Sequence, residues 1–280
     1  MDIAWLDWSN PVAIWWDFLL IVAVINVAAL LWLAVRFREN FFGDNKGKAG
    51  ALIEPLLLLA AAYVIGCAFR AVLPRADVQR ICLFDTWLSS VMVGRSVATV
   101  AELCFAAQWA IVLYTLGRVA NSDTAKNIAK SIVPIIVVAE IFSWSAVITT
   151  NFLGNVLENS LWTITFLLIG IALSRLVPRF RGPAQFAIAA AAAGIAAYVV
   201  FMATVDVPMY FGRWQADLAS GKDYLGLIAG LHDVATRWIV THDLAPWRDE
   251  IAWMSLYFSA AVWASLALCV FYSLAGHLPH

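Results

Sequence analysis

The stretch Glu140–Thr165, EIFSWSAVITTNFLGNVLENSLWTIT, decides how this chain folds. It reads as the end of one apolar helix, a tight turn, and the start of the next. A glutamate followed four residues later by a tryptophan occurs twice, as Glu140/Trp144 and Glu158/Trp162. The flanking runs are long and apolar enough to cross a bilayer. A charged residue at the centre of a membrane helix costs about 2.5 to 3.5 kcal/mol on insertion scales. Carboxylates kept there are functional candidates first.

Outward from this stretch the chain keeps the same character. Of its 280 residues, 63% are apolar and 13% charged, which is not the composition of a soluble domain. A hydrocarbon core of ~30 Å takes about 20 residues of helix. Seven runs qualify: residues 11–35, 53–73, 96–117, 131–150, 157–176, 185–205 and 251–275. The sequence therefore predicts an all-α, polytopic membrane helix bundle of seven transmembrane helices, forming one domain over residues 1–280. The first run has no basic segment before it and no small-residue cleavage site, so it reads as a span rather than a signal peptide.

Orientation follows from the basic residues. Ten of the 18 lie in three alternate connections: Arg36, Arg38, Lys46 and Lys48; Arg118, Lys126 and Lys130; Arg175, Arg179 and Arg181. The N-terminal segment carries only Asp2 and Asp7. The N-terminus is thus expected outside and the C-terminus inside. Trp5, Trp8, Trp15, Trp16, Trp87, Trp214, Trp238 and Trp247 fall where membrane interfaces should lie. Arginine outnumbers lysine 13 to 5 and alanine is abundant, which points to a bacterial inner membrane.

The connections have features of their own. Residues 74–95 read as a short interfacial helix, with Gly94-Arg95-Ser96 at the membrane entry. In the 206–250 connection, Tyr224, Leu227, Ile228, Leu231, Val234, Ala235 and Trp238 recur at helical spacing, with Asp233 and Arg237 opposite. This predicts an outer amphipathic helix, acting as a cap or a lid, which Pro246 ends. The alanine-rich sixth run, with its small residues, is expected to be the most tightly packed.

A rise of ~1.5 Å per residue converts position into depth. Asp17, Glu102, Trp144 and Trp162 come out at a similar depth, roughly 8–9 Å below the outer boundary, with Glu140 deeper. Three stripes emerge at helical spacing: Arg95/Glu102/Trp109, Glu140/Trp144/Asn151, and Asn155/Glu158/Trp162/Thr165. Glutamates avoid lipid, so these faces should turn inward around an outward-facing carboxylate/tryptophan pocket floored by Glu140. Glu140 and Glu102 are the candidate catalytic acids. Asp17, Arg95, Trp109, Trp144, Asn151, Asn155, Glu158 and Trp162 are the candidate ligand-binding residues. Plainer roles compete: a helix-start charge for Glu158 and Glu54, an interfacial position for Asp17, and an interhelical hydrogen bond for Glu102 and Glu140.

Several chemistries are excluded. The four histidines, His232, His242, His277 and His280, lie outside the spans, which argues against bis-histidine haem. All five lysines lie in connections, so no retinal Schiff base forms in the seventh span. Cys67, Cys82, Cys104 and Cys269 form no close-spaced pair, so no disulfide framework or CxxC site is read. No metal-protease, nucleophile-elbow or phosphate-loop motif occurs. A metal site drawn from Glu102, Glu140, Glu158, His232 and Asp206 is weighed and set aside, His232 reading better as a hydrogen-bonded surface residue. No motif names a cofactor. A net charge of −1 implies no nucleic-acid partner. The expected partners are the lipid bilayer and a lipid-like or isoprenoid-like small molecule, which the pocket binds or modifies. Proton- or cation-coupled transport is the second reading, and a non-catalytic membrane subunit or assembly factor the third.

Overall fold

A computed structural model describes residues 9–37 and 50–275, with side chains over 9–37 and 53–271. Trp5, Trp8, Asp2, Asp7, Arg38, Lys46, Lys48, His277 and His280 lie outside the described residues. Seven helices are long and apolar enough to cross a membrane, and the chain is a multi-pass helical membrane protein. The helices are α1 (Pro11–Arg36), α2 (Gly50–Val72), α3 (Val91–Val119), α4 (Asp123–Thr149), α5 (Phe152–Leu176), α6 (Gly182–Phe201), α7 (Val207–Ser220), α8 (Leu227–Thr236), α9 (Leu244–Leu256) and α10 (Val262–Ala275). A π-helical turn, Met202–Asp206, makes α6 and α7 one continuous span, and a second, Tyr257–Ala261, does the same for α9 and α10.

The chain divides into two compact units. The first holds the described residues up to Cys104 and Leu227–Ala267; the second holds Phe105–Gly226 and the chain from Leu268 on. In the first, Asn10 caps α1, its side chain accepting from the Val12 amide, and Pro11 supplies the first helical residue. α1 packs along α2 and against α9. Gly66 lets α2 approach α3, since a Cβ there would stand 2.9 Å from that of Ala101. The α2–α3 connection is not the interfacial helix expected. Strands β1 (Arg75–Ala76) and β2 (Ile81–Cys82) pair antiparallel, and a 3-10 turn, Trp87–Ser89, precedes α3. Strand β3 (Ile239–Val240) adds parallel to β2. Buried Arg75 and Arg80 sit in this hairpin, where they form ion pairs with Asp77 and Asp233.

The second unit is built on the antiparallel hairpin of α4 and α5. Ser122 caps α4, Thr150 turns the chain in the left-handed region (φ 60°), and Asn151 caps α5. Gly154 faces the Phe142 carbonyl, which a Cβ would meet at 2.5 Å, so only glycine fits the close crossing. α6 and α7 pack on α5. The alanine-rich α6 does not have the tightest packing; its span is the least buried of the seven. Its small side chains are spread around the helix, and only Ala184, Ile188 and Ile195 are buried.

The 206–250 connection is shorter than the sequence implied. Helix α7 takes its first part, and Pro208 explains the π-turn just before it. A proline ring clashes with the carbonyl four residues back, here Thr204, and the widened turn relieves that clash. The amphipathic helix is α8. Pro246 lies in the first turn of α9, opening that helix where the sequence suggested a stop.

Candidate functional site: two buried charge clusters

The first unit carries a chain of ion pairs. On α3, Arg95 and Glu102 are two helical turns apart and both buried, and Arg95 Nη2 donates to Glu102 Oε2 at 2.8 Å. Tyr257 Oη, in the second π-turn, donates to Glu102 Oε1 at 3.0 Å. The ring of Tyr63 on α2 stands edge-on to that of Tyr257, centroids 6.1 Å apart. Around the hairpin, Arg75 Nε donates to Asp77 Oδ1 at 2.6 Å, Arg75 Nη1 donates to the Ser89 carbonyl, and Arg70 Nη2 lies 3.9 Å from Asp77 Oδ2. Burial pushes the Asp77 carboxyl up, but Arg70, Arg75 and Arg95 outweigh it and hold the group below its usual range. Burial lowers Arg75, against the pull of Asp77. Arg80 Nε reaches Asp233 Oδ2 of α8 at 2.7 Å. Asp17 is half-buried on α1.

Nearby, Asn26 on α1 closes the second π-turn. Its Nδ2 donates to the Phe258 carbonyl at 2.7 Å, and its Oδ1 accepts from Trp263 Nε1 at 2.9 Å. A π-turn disturbs the regular backbone ladder, and an amide of the right reach satisfies a carbonyl there.

The second unit brings two carboxylates together. Glu140 on α4 and Glu158 on α5 are both buried and present oxygens within 4.8 Å of each other. Asn155 Nδ2 donates to Glu158 Oε2 at 3.2 Å. Ser143, fully buried, shares the inward face of α4 with Glu140. Glu158 stands almost two turns inside α5, so the helix-start role expected for it does not apply; Asn151 performs that task, accepting from the Leu153 amide at 2.9 Å. Asn151 is thus a structural cap. Trp162, one turn beyond Glu158, stacks on Phe166 with centroids 5.9 Å apart. Phe166 also meets Trp109 edge-on at 5.9 Å and Tyr198 at 4.8 Å. Trp144 is half-buried, one turn from Glu140. Asp206 is buried in the first π-turn, inside a continuous span rather than beyond it.

Two like charges in a low-dielectric interior repel, and such a pair is most stable with a proton or a cation held between them. The pair can therefore hand a proton on, or hold a ligand's polar group, while the aromatic stack takes an apolar body. His232 lies exposed on α8, its Nδ1 3.3 Å from Thr236 Oγ1 of the same helix.

Sequence reasoning missed Tyr257, Tyr63, Asn26 and the Arg70–Arg80 hairpin. Tyr257 and Asn26 are single polar tips inside apolar runs, with no periodic signal. The hairpin had one: arginines at 70, 75 and 80 around one aspartate are too dense for a plain solvated loop. No protein-family model, curated protein or solved structure matches this chain.

Proposed function

We propose that this chain binds or modifies a lipid-like, isoprenoid-like molecule within its membrane bundle, with Glu140 as the central acid/base group and Glu158 beside it. The approach of these two buried carboxylates to within 4.8 Å carries the reading. The stack of Trp162, Phe166 and Trp109, which starts one turn from Glu158, supports an apolar substrate body. Glu102, the partner acid read from the sequence, is held by Arg95 and Tyr257. The basic-residue pattern supports an N-terminus outside, and the excess of arginine and alanine supports a bacterial source, with the inner membrane as the proposed location.

Native mass spectrometry of the wild type and Glu140→Gln in mild detergent tests this. Glutamine keeps the shape and removes the ionisation. A discrete bound lipid present in the wild type and lost from the variant is the expected result. An identical, empty pair of spectra overturns it. Proton- or cation-coupled transport is the second reading, favoured by the capacity of a like-charge pair to hold a proton or cation. Reconstituted vesicles that show no flux under an imposed gradient would retire it.

A further inference from the structure

We infer that α8 is an interfacial membrane helix, laid into the headgroup–acyl boundary, and that the Arg80–Asp233 ion pair fixes its rotation. The partner is a lipid surface.

The reasoning starts from which side of α8 is buried. A helix that covers a protein core turns its whole apolar stripe inward. This one turns in only an edge: Gly230 and Val234 are buried, while Asp233 is drawn against the hairpin by Arg80. The remaining apolar side chains stay outside. Ile228 is 85% exposed, Leu227 65% and Leu231 44%, against 0% for Val234. In water this arrangement turns an aspartate toward the protein and leaves three large aliphatics solvated, the reverse of what the hydrophobic effect favours.

The surroundings point to lipid as the medium. The hairpin that holds α8 starts three residues after α2 ends and leads directly into α3, both of them membrane-crossing helices. Three residues separate β3 of the same small sheet from the crossing helix that begins with α9. The module is therefore tethered at the membrane boundary on every side. Its other large exposed side chains include Trp87, Leu88 and Ile239, the aromatic and aliphatic types that settle at that boundary. An amphipathic helix there sinks its apolar face ~5–10 Å.

Asp233 is held twice, by Arg80 Nε at 2.7 Å and by Arg237 Nη1 at 3.4 Å. Trp238 Nε1 donates to Asp85 Oδ1 at 2.8 Å just beyond the helix. The bonds from Arg80 and to Asp85 tie α8 to the hairpin and stop it from rolling about its axis, so the aliphatic side stays outward.

The test is spin-label accessibility in vesicles of phosphatidylcholine and phosphatidylglycerol. The full chain carries a nitroxide at Ile228→Cys, Leu231→Cys or, on the polar side, Thr236→Cys. Labels at 228 and 231 should collide several-fold more with oxygen, which concentrates in lipid, than with a water-soluble nickel chelate. The label at 236 should show the opposite preference. Adding Asp233→Asn should shrink the contrast between the two sides. Nickel access at 228 and 231 equal to that at 236 would overturn the inference. So would protection of 228 and 231 from both reagents, which would mean that a protein covers this face.

Discussion

In one unit acids are paired with arginines; in the other two acids lie close together. Asp77, Glu102 and Asp233 each lie within ion-pair distance of a guanidinium, and the distances of 2.6 to 2.8 Å are those of charge-assisted hydrogen bonds. Glu140 and Glu158 approach within 4.8 Å on neighbouring helices of the second unit. The same residue type thus does opposite work. A buried carboxylate matched to a guanidinium holds elements together, and its removal strands the partner. Two carboxylates set side by side can share a proton, an ion or a polar group of a substrate.

The comparison can be broken at several points. The largest effect is expected at Glu102→Ala, which leaves Arg95 buried without its acid; stability should fall by about 3–5 kcal/mol, read as the denaturation midpoint in detergent. Equal tolerance of Glu102→Ala and Glu140→Gln would erase the distinction between the units. Next, Gly154→Ala forces a methyl against the Phe142 carbonyl and should cost about 1–3 kcal/mol, prying α4 from α5 and loosening the acid pair they carry. Asn151→Ala removes the α5 cap and should cost ~1 kcal/mol. The smallest change is expected at Glu140→Gln, whose stability should stay within ~1 kcal/mol of the wild type, because glutamine keeps the shape of the side chain and its capacity to hydrogen-bond.

Acid sharpens the contrast from the other side. Asp77 titrates lower in the folded chain than unfolded. Its contribution is therefore complete above the unfolded value of ~3.9 and is lost as pH falls through the folded one. The thermal midpoint should drop below about pH 4, and Asp77→Asn should flatten that part of the profile. An unchanged profile in Asp77→Asn would show that other carboxylates govern acid sensitivity.

The seven spans were legible in the sequence because bilayer thickness leaves the chain few options. Helix ends were not, because the caps Ser122 and Asn151 lie outside the apolar runs, so α4 and α5 begin earlier than hydropathy suggests. That early start also moved Glu158 from a helix end into the interior. Helical spacing put Glu140 and Glu158 on inward faces, but not their separation, which depends on Gly154 letting the two helices close up. The hairpin escaped notice because strands of two residues carry no period to read.

The bond from Asn26 to the Phe258 carbonyl spans 232 residues, and this bears on the order of assembly. The first unit draws on both the early spans and the last one, whereas nearly all of the second unit is the continuous stretch Phe105–Gly226. During synthesis the second unit has all but its final segment in hand first, and the earlier-made helices must wait for α9 and the turn after it. Until then Asn26 sits in an earlier-made helix with its eventual partners unmade. The earlier-made helices are thus finished after the later-made unit, and the membrane must hold a half-satisfied helix until α9 and the turn after it arrive.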